Sequence, residues 1–207
     1  MRALGFGGLA TAIVLALGAG AEAQTRIERL FISPVGQPFR TADGSAPILL
    51  WFAGVDADAD GKLSRDEFAA NAMAFFGSTD LDANGDRSIT SIESTALLRA
   101  QAPEVLSTRM DPVPRARERD RGMVTPRTER SHGEAASPLR GAAAFSLLGD
   151  VEPVMSCDTD LSRRVTAPEF EACALRRFAV LDSDGDGFFS LADSVRAAEL
   201  MAPPTDQ

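Results

Sequence analysis

Apolar residues along this chain fall in short runs that alternate with twelve-residue segments dense in oxygen-bearing side chains. Val55, Leu81, Cys157 and Leu181 each stand one residue before such a segment, and Leu63, Ile89, Val165 and Phe189 recur at its eighth position. After the first segment, Phe68, Ala72, Phe75 and Phe76 lie at helical spacing and predict a helix over 68–81, interrupted near its end at Gly77-Ser78-Thr79. The same periodicity predicts the end of an incoming helix at 48–55, carrying Trp51 toward the core. It also predicts helices over 92–102 (stopped by Pro103), over 170–181 with no breaker, and over 191–201 before Pro203-Pro204. Residues 142–155 resume apolar periodicity, broken by Pro153. The expected fold class is all-α, built of helix–loop–helix units.

The polar segments have a common chemistry. In residues 56–67, Asp56, Asp58 and Asp60 take positions 1, 3 and 5, and Gly61 at position 6 permits a sharp reversal. Lys62 offers a backbone carbonyl at position 7, Ser64 stands at 9, and Glu67 brings two oxygens at position 12. A hard cation that takes about six to eight oxygens near 2.4 Å needs a short chain to wrap around it in this way, and calcium is that cation. Residues 82–93 repeat the order with Asp82, Asn84, Asp86, the Ser88 carbonyl, Thr90 and Glu93. A frame starting at Asp80 would put Gly85 at position 6 but Arg87 at position 8, so the Asp82 frame is preferred although Arg87 then replaces the glycine. Residues 158–169 offer Asp158, Asp160, Ser162, the Arg164 carbonyl, Thr166 and Glu169, with Arg163 at the glycine position. Residues 182–193 offer Asp182, Asp184, Asp186, the Phe188 carbonyl, Ser190 and Asp193. Asp193 is one methylene shorter than glutamate, which predicts binding through one oxygen, weaker calcium affinity and tolerance of six-coordinate magnesium. Loop one is expected to bind tightest and loop three to have the poorest ligands.

Four recurrences with aligned apolar flanks mean an internal duplication, two loops to each half. The stretch between paired loops is short. A single helix there would put the two loops of one half at its opposite ends, so that loops meet across the halves. The unbroken 170–181 stretch favours that arrangement, while Gly77 leaves the first half undecided.

The net charge of −9 changes the picture little, because the four loops hold half of the 30 acidic residues. Arg2, an apolar run to about residue 20 and Ala21-Glu22-Ala23 predict an export signal over 1–23, so no stable membrane insertion is expected after cleavage. Residues 24–47, with Leu30, Phe31, Ile32 and Phe39 among three prolines, read as an extended arm packed on the body. Residues 48–102 and 142–202 are the two halves. Between them, 103–141 is rich in arginine and proline and poor in large apolar side chains, which predicts a disordered linker. Acidic residues interleave with its arginines, so no nucleic-acid partner is expected. His132, the one histidine, has no Cys or His companion, and no enzyme activity is expected.

The twelve-residue segments resemble EF-hand calcium loops. Together with the short spacing and the export signal, the stretches F-I-S-P-V-G-Q-P-F-R and W-F-A-G-V-D-A-D-A-D-G-K-L-S-R-D-E-F resemble secreted EF-hand proteins of Gram-negative bacteria. The resemblance implies up to four calcium ions and a periplasmic or secreted location, with no particular pathway. In an EF-hand, the residue before the loop and the residue one turn after its end both face inward. Cys157 and Cys173 hold those places and are expected to form a disulfide, as export favours. The functional expectation is a calcium buffer, a sensor, or a module that binds a protein partner when calcium is present. The alternative is a structural protein that uses calcium only to fold.

Overall fold

Two antiparallel helices form the axis of the molecule: α2 (Arg65–Phe76) and α5 (Ala167–Leu181). In α2, Phe68, Ala72, Phe75 and Phe76 are buried, and in α5 Phe170, Cys173, Ala174, Arg177 and Phe178 are buried. The α2 set is the helical stripe read from the sequence, and the α5 set falls at the same helical spacing. The rings interleave end to end, with Phe68 5.8 Å from Phe178 and Phe76 5.4 Å from Phe170 between centroids. The computed structural model describes residues 28–106 and 139–203; the expected signal at 1–23, most of the expected linker and His132 lie outside the described residues. No helix among the described residues is long and apolar enough to cross a membrane.

The remaining elements close around this axis. Helix α1 (Pro47–Val55) enters loop one, α3 (Ser91–Gln101) leaves loop two, and α6 (Val195–Met201) follows loop four. Because α2 is a single helix ended by Gly77, and α5 is unbroken, each half carries its two loops at opposite ends of one helix. The antiparallel packing then sets loop one beside loop four and loop two beside loop three. The arrangement across the halves, undecided for the first half in the sequence, is the one found.

The all-α expectation is overturned. The described residues are about 48% helical and 13% strand, with six α-helices and several small antiparallel sheets. Two of these sheets come from the loops. Strand β3 (Leu63–Ser64) pairs with β6 (Phe188–Phe189), and β4 (Ser88–Thr90) pairs with β5 (Arg164–Thr166). Each position-8 side chain is buried and lies opposite its counterpart, Leu63 to Phe189 and Ile89 to Val165. Burying that residue brings its backbone N–H and C=O groups out of water, and a ladder to the partner loop satisfies them. Helix-period reasoning has no term for a pairing between segments so distant in sequence.

The third sheet is the N-terminal arm, which folds back as a hairpin instead of running extended. Strand β1 (Arg29–Ile32) pairs antiparallel with β2 (Pro38–Thr41). The reversal uses Gly36 at φ +98°, where a side chain would meet Val154 Cγ2 at 2.8 Å. Phe31 packs on Trp51 with centroids 5.4 Å apart, and both residues are buried. Arg29 Nη2 donates to the Leu200 and Ala202 carbonyls at 2.6 and 2.8 Å, and Arg40 Nε donates to the Gln101 carbonyl at 2.6 Å. The arm thereby ties down the last helices of both halves.

Residues 142–155, where apolar periodicity resumes, give 3-10 turns at Gly141–Phe145 and Met155–Cys157, with Pro153 between them. The expected 191–201 helix splits into a 3-10 turn, Leu191–Asp193, and α6, because Ser194 caps α6 by accepting from Ala197 N–H. The first residues read as linker form helix α4 (Pro103–Leu106). Val105 of α4 and Ala142 of the first 3-10 turn share a small buried cluster with Ile32, Leu98 and Ala102.

Candidate metal centres

All four loops have the same backbone conformation, although only two keep glycine at position 6. Positions 4 and 6 have positive φ throughout: Ala59 and Gly61 (+58°, +83°), Gly85 and Arg87 (+72°, +62°), Leu161 and Arg163 (+60°, +70°), Gly185 and Gly187 (+74°, +88°). The left-handed conformation is disfavoured for residues with a Cβ, so the loops impose it on Arg87 and Arg163. That recurrence fixes the Asp82 frame for loop two.

A repeated set of hydrogen bonds holds this backbone. The position-1 carboxylate accepts from the position-6 N–H in every loop: Asp56 from Gly61 at 3.0 Å, Asp82 from Arg87 at 2.9 Å, Asp158 from Arg163 at 2.8 Å, Asp182 from Gly187 at 3.1 Å. The position-3 oxygen accepts from the position-5 N–H, in Asp58, Asn84, Asp160 and Asp184. The position-5 oxygen accepts from the N–H of Lys62, Ser88, Arg164 or Phe188, which sets each position-7 residue beside the acidic cluster. In loop three, Ser162 Oγ also donates to the Arg164 carbonyl at 3.0 Å.

Carboxylates gather in three loops. One oxygen each from Asp56, Asp58 and Asp60 lie within 4.8 Å of one another, as do oxygens of Asp158, Asp160 and Glu169, and of Asp182, Asp184 and Asp186. These groups could hold a metal ion. Loop two has only Asp82, Asp86 and Glu93 beside the amide of Asn84, and its Asp82 and Glu93 are buried.

Position 12 separates loop four from the others. Glu67, Glu93 and Glu169 fall in the first turn of α2, α3 and α5, and each accepts from the backbone N–H and hydroxyl of the position-9 residue: Ser64, Thr90 or Thr166. The second oxygen of Glu67 accepts from Ala57 N–H at 2.8 Å, and that of Glu169 accepts from Thr159 N–H and its hydroxyl at 3.1 Å. These bonds favour the charged form. Glu67 is held below the usual carboxylate range by the Ser64 amide and then its hydroxyl, and Glu169 falls to about 2 through the Thr166 amide and then its hydroxyl. Asp193, by contrast, is exposed in its 3-10 turn, outside the Asp182, Asp184 and Asp186 group, while Ser190 caps Ala192 N–H instead.

Two oxygens are left over. Glu93 is 8% exposed and its Oε1 has no partner, and Asp182 Oδ1 is buried without one. An unpaired buried carboxylate oxygen costs free energy that a cation would recover.

Loop three is braced by more than its own bonds. Cys157 and Cys173 lie at disulfide distance, Cα atoms 5.4 Å apart, one on each side of the loop. Arg177, a buried cation, spans the same region. Its Nη1 lies 3.3 Å from Cys157 Sγ, its Nη2 donates to the Pro153 carbonyl at 2.6 Å and Ser156 Oγ at 2.7 Å, and it pairs with Asp150. The expected cysteine pair stands; nothing in the apolar periodicity of 170–181 marked Arg177 as more than a polar residue. Sequence reasoning also missed the side chains of Lys62 and Arg164, crediting only their carbonyls.

No protein-family model matches the chain, and no curated protein or solved structure matches it either, so the functional reading rests on the loops themselves.

Proposed function

We propose that this chain is a calcium-binding protein with four EF-hand-type sites, working outside the cytoplasm as a buffer, a sensor or a calcium-dependent partner-binding module. The observation that carries the reading is the shared loop backbone, kept even where arginine must take positive φ, together with the unpartnered buried oxygen of Glu93. A fold with no use for the conformation would not retain it four times against the Cβ penalty.

The donor sets are all oxygen, as a hard cation requires. Loop one would use Asp56, Asp58, Asp60, the Lys62 carbonyl and Glu67; loop two, Asp82, Asn84, Asp86, the Ser88 carbonyl and Glu93. Loop three would use Asp158, Asp160, Ser162, the Arg164 carbonyl and Glu169; loop four, Asp182, Asp184, Asp186, the Phe188 carbonyl and Asp193. Bound calcium supplies charge neutralisation and a coordination shell that draws both ends of a loop together. The capping glutamates hold the loop ends, and the position-1 aspartates pin the reversal.

Calorimetric titration with calcium, with magnesium as competitor, tests the reading directly. Heat of binding at several sites is expected, with magnesium displacing calcium most readily at loop four. No binding at millimolar calcium would overturn it. The alternative, calcium as a structural clamp alone, draws on one observation: every loop pair joins the two halves over a single core. A dye that reports exposed apolar surface separates the readings, since a sensor changes its signal with calcium and a clamp does not.

A further inference from the structure

Each pair of loops contains one cation that reaches from position 7 of one loop to position 5 of the other. Lys62 Nζ lies 3.8 Å from Asp186 Oδ2 and 5.2 Å from the centroid of the Phe188 ring. Arg164 Nη1 lies 3.2 Å from Asp86 Oδ2 and donates to Ser88 Oγ at 2.7 Å. The ladders β3–β6 and β4–β5 place both side chains there. The relation runs one way, because the position-7 residues of the receiving loops, Phe188 and Ser88, carry no charge. Among the described residues, no ion pair reaches Asp60, the position-5 carboxylate of loop one.

We propose that Lys62 and Arg164 are affinity-setting residues for the partner loop. Each holds a position-5 carboxylate oxygen that a cation in loop four or loop two also needs. Calcium binding there must compete with the ion pair and bring a divalent charge close to an ammonium or guanidinium. Loops one and three bear no such cost. This inference rests on the calcium reading. It explains how the chain can grade its sites by more than ligand count: loop four, with three aspartates, is held below loop one by a residue that belongs to loop one. The side chains in both pairs are well exposed, so the effect is that of a surface ion pair, about 2- to 5-fold in affinity, and shrinks with salt.

The test titrates the full chain with calcium by NMR, following the Gly187 amide for loop four and the Arg87 amide for loop two. Lys62→Gln is expected to tighten loop four about 2- to 5-fold and leave loop two unchanged, and Arg164→Gln to do the reverse. Lys62→Arg should behave as wild type, and both gains should narrow near 1 M salt. Arg65→Gln removes the same charge from loop one without touching Asp186 and serves as the control. Equal tightening by Arg65→Gln, or no change in either variant while the wild type binds, would overturn this inference alone. A wild type unresponsive to calcium would overturn the calcium reading, and this inference with it.

Discussion

The two ends of the α2–α5 axis solve the same geometric problem differently. At one end, loops one and four keep Gly61 and Gly187 at position 6, carry aspartates at positions 1, 3 and 5, and are joined by a two-residue ladder. At the other, loops two and three force arginines into that position and have fewer carboxylates. They are joined by a three-residue ladder, and loop three is braced further by the Cys157–Cys173 pair and the Arg177 network. One end concentrates negative charge in groups that could hold a metal ion. The other spreads its stability over covalent and hydrogen-bonded supports. The difference teaches that a loop's shape and its ligand charge are separately maintained, so the shape survives where the charge has thinned.

Removing the braces should do the most damage. Replacing Cys157 and Cys173 by alanine opens a closure between residues 16 apart in sequence, and about 3 kcal/mol of stability should be lost in denaturant titration with chelator present. Hydrogen exchange should locate the loss at loops two and three; equal loosening at both ends would erase the contrast. Mass spectrometry with and without reductant should show the linked peptides directly.

The next effect belongs to the charged end. Glu67→Gln replaces a charged oxygen of the site expected to bind tightest, and the tightest calcium affinity should fall at least tenfold, about 1.4 kcal/mol. Calorimetry indistinguishable from wild type would remove loop one from its leading place.

A smaller gain should appear only at the braced end. Arg87→Gly and Arg163→Gly relieve Cβ crowding at φ +62° and +70°, and each should stabilise the protein by about 0.5–1 kcal/mol after the entropy cost of glycine. A loss of stability in both would mean that the arginine side chains have contacts of their own.

The finest difference lies in acid. Glu169 is held down to about 2 in the folded protein, so its contribution is present above the ordinary carboxylate range and fades as pH falls from about 4.5 toward 2. In chelator, Glu169→Gln should lower stability at neutral pH and flatten the acid limb of the melting curve between those values. An unaltered limb would show that the bonds from Thr166 and Thr159 do not persist in solution.

The loops were legible because their chemistry is local: ligand order, the position-8 apolar residue and the position-12 glutamate all lie within twelve residues, and the helices follow from stripes such as Phe68, Ala72, Phe75 and Phe76. What escaped is what depends on distant pairing. The β3–β6 and β4–β5 ladders join residues more than seventy positions apart, and the arm hairpin needed Val154 to show why Gly36 reverses. Lys62 and Arg164 looked like carriers of a carbonyl until the partner loop was beside them. Asp193 stands apart from the Asp182, Asp184 and Asp186 group for a local reason that the sequence did carry: Ser194 caps α6, so Asp193 falls in a 3-10 turn and not in the first turn of a helix.

Helix α4 and the 3-10 turn at Gly141–Phe145 meet in one small cluster, so residues 106 and 139, the described ends on either side of 107–138, lie near the same place. Every loop pair and the α2–α5 seam, meanwhile, join residues before 107 to residues after 138. The two halves are therefore complementary fragments in the sense used for split proteins. Expressed as separate chains, they carry the interface seen among the described residues, and on the calcium reading proposed above the ion would favour their reunion.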